Sequence, residues 1–248
     1  MPINSMEKQS WSIIVFCFNE VGNVKNVINK IFDVFSKMDV SAFEVIVVDD
    51  GSTDGSYEII KEISETTNKI NFIPHLKNKG IGFALRSGYF NAKNENICAV
   101  PADGQFDIEE LLPYAYLPKD EFISFYRKEN TTYSMARNAL SQANKVINRV
   151  FNGFNLLDVN WVKIYKREEL LKLNLELESS LIESEICAKL IFKKQKPVEI
   201  ISKYLSRTSG ESKGASGKIV LQAIKDTYQL YKVLRKFRKG VINLVISK

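Results

Sequence analysis

The early part of the chain repeats one arrangement that leaves few folds open: a strand-length apolar run, a polar tip, then a helical pattern. The runs are Trp11–Phe18 (WSIIVFCF), Phe43–Val48, Ile70–His75 and Ile97–Val100. They are rich in β-branched and aromatic residues and barely alternate, which suits central strands covered on both faces. Between them, Val24, Val27, Ile28, Ile31, Val34 and Phe35 recur at three- and four-residue spacing, and a further helix is predicted from about Phe83 to Ala92. This alternation predicts the α/β class, with a mostly parallel, Rossmann-like sheet and right-handed crossovers. With 248 residues and 45% hydrophobic content, the chain can bury such a core as one domain, expected over 1–213, followed by a tail over 214–248.

In an open α/β sheet, ligands gather at the carboxyl ends of the strands. The fourth run empties into Pro101-Ala102-Asp103-Gly104-Gln105. Asp103 and Gln105, two apart on an extended tip, can aim two oxygens at one hard cation such as Mg2+ or Mn2+. A Pro-Asp-Gly turn with a solvated carboxylate is the alternative. The second run ends in Asp49-Asp50-Gly51-Ser52-Thr53-Asp54-Gly55, where three acids exceed what a turn requires. Asp49 or Asp50 is expected to meet a ligand, and Ser52 or Thr53 to cap the next helix. After the third run, Lys77-Asn78-Lys79-Gly80-Ile81-Gly82 leads into a helix, and backbone N–H groups there, with Lys79 beside Gly80, would suit a phosphate.

Further along, the pattern predicts a strand over Glu121–Tyr126, a helix over Met135–Phe151, an extended Asp158–Tyr165 and a helical turn over Glu168–Leu173. A helix over Ser179–Phe192 carries Glu183 and Glu185 near its start, and Pro197–Leu205 reads as a last strand. Asp107 opens a short helix with acids in its first turn, a placement the helix dipole favours.

The net charge of +6 is modest, but its placement is uneven: from Lys213 onward nine basic residues face one acid, Asp226. A tail helix over about Ser216–Lys239 carries an apolar stripe (Ile219, Ala223, Leu230, Val233, Leu234, Phe237) with basic residues elsewhere. It would lie on an anionic membrane surface or dock on the domain or a second copy, giving a homodimer. Gly240 is expected to end it, leaving Val241–Ile246 to dip into a bilayer or pair as a strand. No signal peptide and no apolar stretch long enough to span a bilayer are visible. Cys17, Cys98 and Cys187 lie in apolar runs without metal-ligand spacing, which suits buried thiols in a reducing cytoplasm. His75, the lone histidine, is read as structural. No nucleic-acid partner is expected.

Ile13–Glu20 (IIVFCFNE), Val45–Gly55 (VIVVDDGSTDG) and Ala102–Gln105, taken in order, resemble the signature of family-2 glycosyltransferases. Arg207 followed by Gly210-Glu211-Ser212-Lys213 is similar to the Arg…Gly-x-Ser-Lys motif of the branch containing dolichol-phosphate mannosyltransferase and bacterial polyprenyl-phosphate glycosyltransferases. The resemblance covers roughly residues 11–213 and implies a GT-A fold, here with a basic amphipathic C-terminal helix. It implies that Phe18, Asn19 and Glu20 line a nucleotide pocket and that Asp49, beside Asp50, contacts base or ribose. Asp103 and Gln105, with Ala102 between the strand and Asp103, would hold Mg2+ or Mn2+ beneath the diphosphate. Arg207, Ser212 and Lys213 would bind phosphate of donor or acceptor.

The resemblance further implies a metal-dependent inverting transfer from a nucleoside-diphosphate sugar to a polyprenyl phosphate, at the cytoplasmic face of the membrane with the tail in peripheral contact. The alternatives are transfer to a hydroxyl of a glycan or lipid-linked saccharide, which needs a base among Glu183, Glu185 and Asp158, and a non-catalytic sugar-nucleotide-binding subunit. Three departures stand out. Pro101 replaces the first acid of the usual Asp-x-Asp, DVNWVKIYK (158–166) replaces a Ser-Gly-Phe stretch, and the basic tail stands where many members of the branch carry transmembrane helices.

Overall fold

The computed structural model describes residues 7–127, 153–205 and 217–246, with side chains of the last segment described over 225–241. Seven strands form one sheet: β1 (Ser10–Cys17), β2 (Ala42–Asp49), β3 (Ile70–Pro74), β4 (Asn96–Pro101), β5 (Glu121–Arg127), β6 (Lys163–Lys166) and β7 (Lys196–Ser202), in the spatial order β3-β2-β1-β4-β6-β5-β7. All neighbouring pairs are parallel except those of β6, which runs against both β4 and β5. Its beginning, Lys163, therefore lies at the same edge as the carboxyl ends of β4 and β5. The expected α/β, mostly parallel sheet is present.

The helices are α1 (Val24–Lys37), α2 (Ser56–Glu65), α3 (Ile81–Asn91), α4 (Arg167–Leu171), α5 (Ile182–Phe192) and α6 (Gly217–Ile246), with a 3-10 turn over Ile108–Tyr114. They cover both faces, which explains the unbroken apolar runs. From β1, Trp11, Ile13, Val15 and Cys17 pack with α1, while Ile14 packs with α3 and α5 on the other face. Gly88 lets α3 approach: a Cβ there would sit 2.3 Å from Ile14 Cγ2.

Four local expectations need correction. Helix α2 is capped by Gly55, because Ser52 Oγ is engaged by the Asn19 N–H. The segment after Asp107 is a 3-10 turn, in which Pro113 lacks the donor an α-helix would need. Of Asp158–Tyr165 only the end is strand; the rest is loop. Helix α6 runs through Gly240 to Ile246, so Val241–Ile246 is neither a strand nor a separate dipping segment. The predicted helix over Met135–Phe151 lies outside the described residues.

Part of the apolar stripe of α6 is docked: Leu230, Val233 and Leu234 are buried in the core layer that contains α5, while the side chains of Ile219 and Ala223 lie outside the described residues. Burying side chains of this size stabilises by about 1.5–3 kcal/mol each. Lys189 of α5 lies over the Phe237 ring at 5.1 Å, and Arg238 over the Phe192 ring at 5.6 Å. Among the described residues no helix is long and apolar enough to cross a membrane.

Candidate active site

A cleft of about 970 Å³ opens at the edge where β1, β2, β4 and β5 end and β6 begins. That is ample room for a drug-sized ligand. Phe18, Asn19 and Glu20 follow β1 into it, Ala102, Asp103 and Gln105 follow β4, Arg127 ends β5, and Asn160–Lys163 lead into β6. Glu183 reaches it from α5 and Tyr204 from beyond β7.

The tips of β1 and β2 are laced together. Asn19 adopts φ 56°, a left-handed conformation that Asn tolerates better than most residues. Its N–H donates to Ser52 Oγ at 2.8 Å and its Oδ1 accepts from the Thr53 N–H at 2.8 Å. The Glu20 N–H donates to Ser56 Oγ at 2.9 Å. Burial opposes ionisation of Asp54, yet hydrogen bonds from Ser56 and the Val21 N–H hold its carboxyl below the usual range. Gly51, at φ +73°, passes so close to the next loop that a Cβ would lie 2.5 Å from the Lys77 carbonyl carbon.

The paired acids after β2 divide their labour. Asp50 spends both oxygens on the following loop: Oδ1 meets His75 Nδ1 at 2.7 Å and the Lys79 N–H at 3.0 Å, and Oδ2 accepts from the Gly80 N–H at 2.7 Å. The N–H groups of Lys79 and Gly80, expected to receive a phosphate, are thus turned to Asp50. His75 also meets Ser87 at 2.9 Å, in keeping with a structural histidine. Asp49 is buried just outside the cleft lining, and its Oδ2 accepts from the Ser52 N–H at 3.2 Å while Oδ1 has no hydrogen-bond partner. Burial, opposed by the Ser52 hydrogen bonds, raises its carboxyl above the ordinary range. Burial and the Asp49 charge push the Cys17 thiol up to about 12, so it is no nucleophile.

At the tip of β4 the Gln105 N–H donates to Asp103 Oδ1 at 3.0 Å, and Gln105 Nε2 donates to the Tyr204 hydroxyl. Among the described residues no cluster of three or more His, Cys, Asp or Glu could hold a metal. The donors that are present still suit a particular kind of ion. Mg2+ keeps waters and is bound through one or two carboxylates together with substrate phosphates. One carboxylate at the strand tip, with Pro101 where a second would stand, fits a cation that arrives with a diphosphate.

The opposite wall is built on Arg127. Its Nε and Nη2 meet Asp158 Oδ2 and Oδ1 at 2.8 and 3.3 Å, and the guanidinium lies 4.5 Å from the Trp161 ring centroid. Trp161 Nε1 donates to Ser202 Oγ at 2.9 Å. Lys163, only 2% exposed, donates to the carbonyls of Asp158 and Trp161 at 2.8 and 3.0 Å, pinning the loop from beneath.

On the cleft floor, Glu183 accepts from the hydroxyls of Tyr89 and Tyr165. Burial raises its carboxyl, and the two tyrosine hydrogen bonds pull the other way. Glu185 is elsewhere. It is fully buried outside the cleft lining, paired with Lys189 at 2.6 Å, and accepts the N–H groups of Glu176 and Leu177 at 2.8 Å each. The structure therefore gathers Phe18, Asn19, Glu20, Asp50, Gly80, Ala102, Asp103, Gln105 and Glu183 on one cleft, with Asp158 one contact behind Arg127. Lys79 and Glu185 are not in that lining, and Arg207, Ser212 and Lys213 lie outside the described residues.

A family model described as glycosyl transferase family 2 matches residues 12–138, about half of the chain and every strand tip from β1 to β5. The chain belongs to glycosyl transferase family 2. This transferase is 25% identical over 257 residues to a dolichol-phosphate mannosyltransferase of Saccharomyces cerevisiae, covering 95% of this chain and 91% of the relative. It is 27% identical over 109 residues to a dolichyl-phosphate beta-glucosyltransferase of the same yeast, covering 41% of this chain and 33% of that one. In fold it is similar to a mannosyltransferase of Pyrobaculum calidifontis solved with GDP-Man and Mn2+, at a TM-score of 0.58 and 14% identity over 98% of this chain and 76% of that one. The glycosyltransferase is thus an enzyme with a GT-A-like sheet.

Sequence reasoning passed over Tyr89, Arg127, Lys163 and Tyr204. Arg127 was legible in principle, since it too ends an apolar strand at the sheet's carboxyl edge.

Proposed function

We propose that this glycosyltransferase moves a sugar, with inversion, from a nucleoside diphosphate to a polyprenyl phosphate. One observation carries the reading: the three acids weighed as base for a hydroxyl acceptor, Glu183, Glu185 and Asp158, are each already committed. Glu183 holds two tyrosine hydroxyls, Glu185 is paired with Lys189, and Asp158 is paired with Arg127. A phosphate is already an anion and needs no base. The names of the two yeast relatives point to the same acceptor class.

In a single displacement, an acceptor phosphate oxygen attacks the anomeric carbon as its bond to the β-phosphate oxygen breaks. The bonding pair leaves on the diphosphate, no proton moves, and the anomeric centre inverts. Asp49, buried beside the cleft with Oδ1 unpartnered, is assigned to base or ribose by its motif, and Asn19 and Glu20 shape the pocket edge. Arg127, fixed by Asp158, presents guanidinium charge to an incoming phosphate. Asp103 and Gln105 would hold a divalent cation, which when bound offsets charge developing on the diphosphate. Arg207, Ser212 and Lys213 are assigned to phosphate by their motif.

The test offers UDP-, GDP- and dTDP-sugars, with Mg2+ or Mn2+, in the presence and absence of undecaprenyl or dolichyl phosphate. Lipid-dependent release of one nucleoside diphosphate, lost in Asp103→Ala, is expected. Release that requires a glycan hydroxyl acceptor instead would overturn the reading.

A further inference from the structure

Docking of α6 on α5 leaves the rest of that helix facing away from the domain. At about 3.6 residues per turn, Lys225, Tyr228, Lys232, Arg235, Lys236 and Lys239 recur at steps of three and four and centre on the side opposite Leu230, Val233 and Leu234. All six are exposed, Tyr228 to 60%. The Lys232 ammonium lies 4.4 Å over the Tyr228 ring. Asp226, the one acid after Lys213, is half-buried on the docked side, so no acid interrupts the outer stripe. Lys236 reaches Glu176 only at 3.9 Å with its side chain 79% exposed, a geometry that leaves its charge largely to solvent.

We propose that this outer face of α6 is a docking surface for an anionic lipid bilayer. The partner follows from charge and shape. The five cations form a straight stripe about 20 Å long at 1.5 Å rise per residue, which a plane of anionic headgroups can meet along its whole length. A tyrosine among them places a phenol where ring and hydroxyl suit the headgroup zone. Over the described side chains, 225–241, the apolar residues Leu230, Val233 and Leu234 are buried against the domain, so attachment through this stretch is electrostatic, without their insertion. It therefore differs from an amphipathic helix that buries its apolar face in the bilayer. The inference stands apart from acceptor chemistry, since it concerns bulk anionic headgroups.

Sedimentation with vesicles of phosphatidylcholine alone, and of phosphatidylcholine with phosphatidylglycerol in equal parts, tests it without any polyprenyl phosphate. Binding is expected only to the anionic vesicles, and should be reversed by raising salt from roughly 0.05 to 0.5 M as the Debye length shrinks. The variant carrying Lys225→Gln, Lys232→Gln, Arg235→Gln, Lys236→Gln and Lys239→Gln should bind at least about tenfold more weakly with an unchanged circular dichroism spectrum. A charge-matched variant at exposed Lys25, Lys37, Lys61, Lys69 and Lys93 should bind as the unaltered protein does. Equal binding to both vesicle types, equal loss in the two variants, or a stronger preference for duplex DNA than for anionic vesicles would each overturn it.

Discussion

Arg127 and Asp158 meet side by side, Nε to Oδ2 at 2.8 Å and Nη2 to Oδ1 at 3.3 Å, with the Trp161 indole against the guanidinium. The pair fixes where the cleft's guanidinium points. Asp158→Ala should leave Arg127 in place but poorly aimed. Losing a charge-assisted hydrogen bond is worth roughly 1.5–3 kcal/mol, or about ten- to a hundredfold. We expect that factor in KM for the phosphate acceptor, with KM for the donor changed little, measured by titrating each substrate against saturating amounts of the other.

Glu183→Gln separates the two acceptor chemistries. A general base contributes about 10²–10⁴-fold, so a hydroxyl transferase would lose that much. For transfer to phosphate we expect kcat within about tenfold of the unaltered enzyme, because the side chain organises Tyr89 and Tyr165 and moves no proton. Stability should respond with a definite sign. Burial raises the folded-state value above the ordinary 4.5. The contribution is therefore fully present below pH 4.5 and is lost as pH climbs through the raised value. Thermal melts of the two proteins should show the unaltered one losing ground to Glu183→Gln above that pH.

Much of this was legible because doubly covered strands write unbroken apolar runs, and the residues just after them, Asn19, Asp50 and Asp103, fall at the cleft. What escaped has physical causes. Lys163 begins an antiparallel strand, so the cleft lies before its apolar residues and the rule of looking after them fails. Tyr89 and Tyr165 sit in apolar surroundings and read as core, although their hydroxyls hold Glu183. Gly240 does not break α6, since a glycine costs a helix only about 1 kcal/mol. Glu185 read as a candidate base because a hydroxyl acceptor needs one and few acids offered themselves, yet its buried partner Lys189 lies one turn along the same helix.

That buried pair should matter to the fold and hardly to the chemistry. Lys189→Met leaves Glu185 fully buried without its cation, and the carbonyls of Leu173 and Asn174 lose their donor. Breaking a buried pair costs about 3–5 kcal/mol. At about 2–4 °C per kcal/mol for a chain of this size, the melting temperature should fall by roughly 6–20 °C. Replacing both partners, as in Glu185→Leu with Lys189→Met, should recover part of that loss. Calorimetry on the three proteins measures both effects.

Pro101 and Asp103 set the metal prediction. Pro101 closes β4 beside Phe16 and lines the cleft, two residues before the one carboxylate at that tip. Asp103→Ala removes the only carboxylate there and should abolish metal-stimulated turnover. Pro101→Asp adds a second oxygen donor, which raises affinity for a hard cation without demanding a rebuilt loop, because Pro101 is half-buried at the strand's end. Its metal activation constant should fall by about tenfold. Mn2+ binding followed by electron paramagnetic resonance, with and without a nucleoside diphosphate, reads the same change independently of turnover. In the unaltered protein, ion binding should depend on the diphosphate. In Pro101→Asp part of it should become independent, since two carboxylates can hold the ion before the donor arrives.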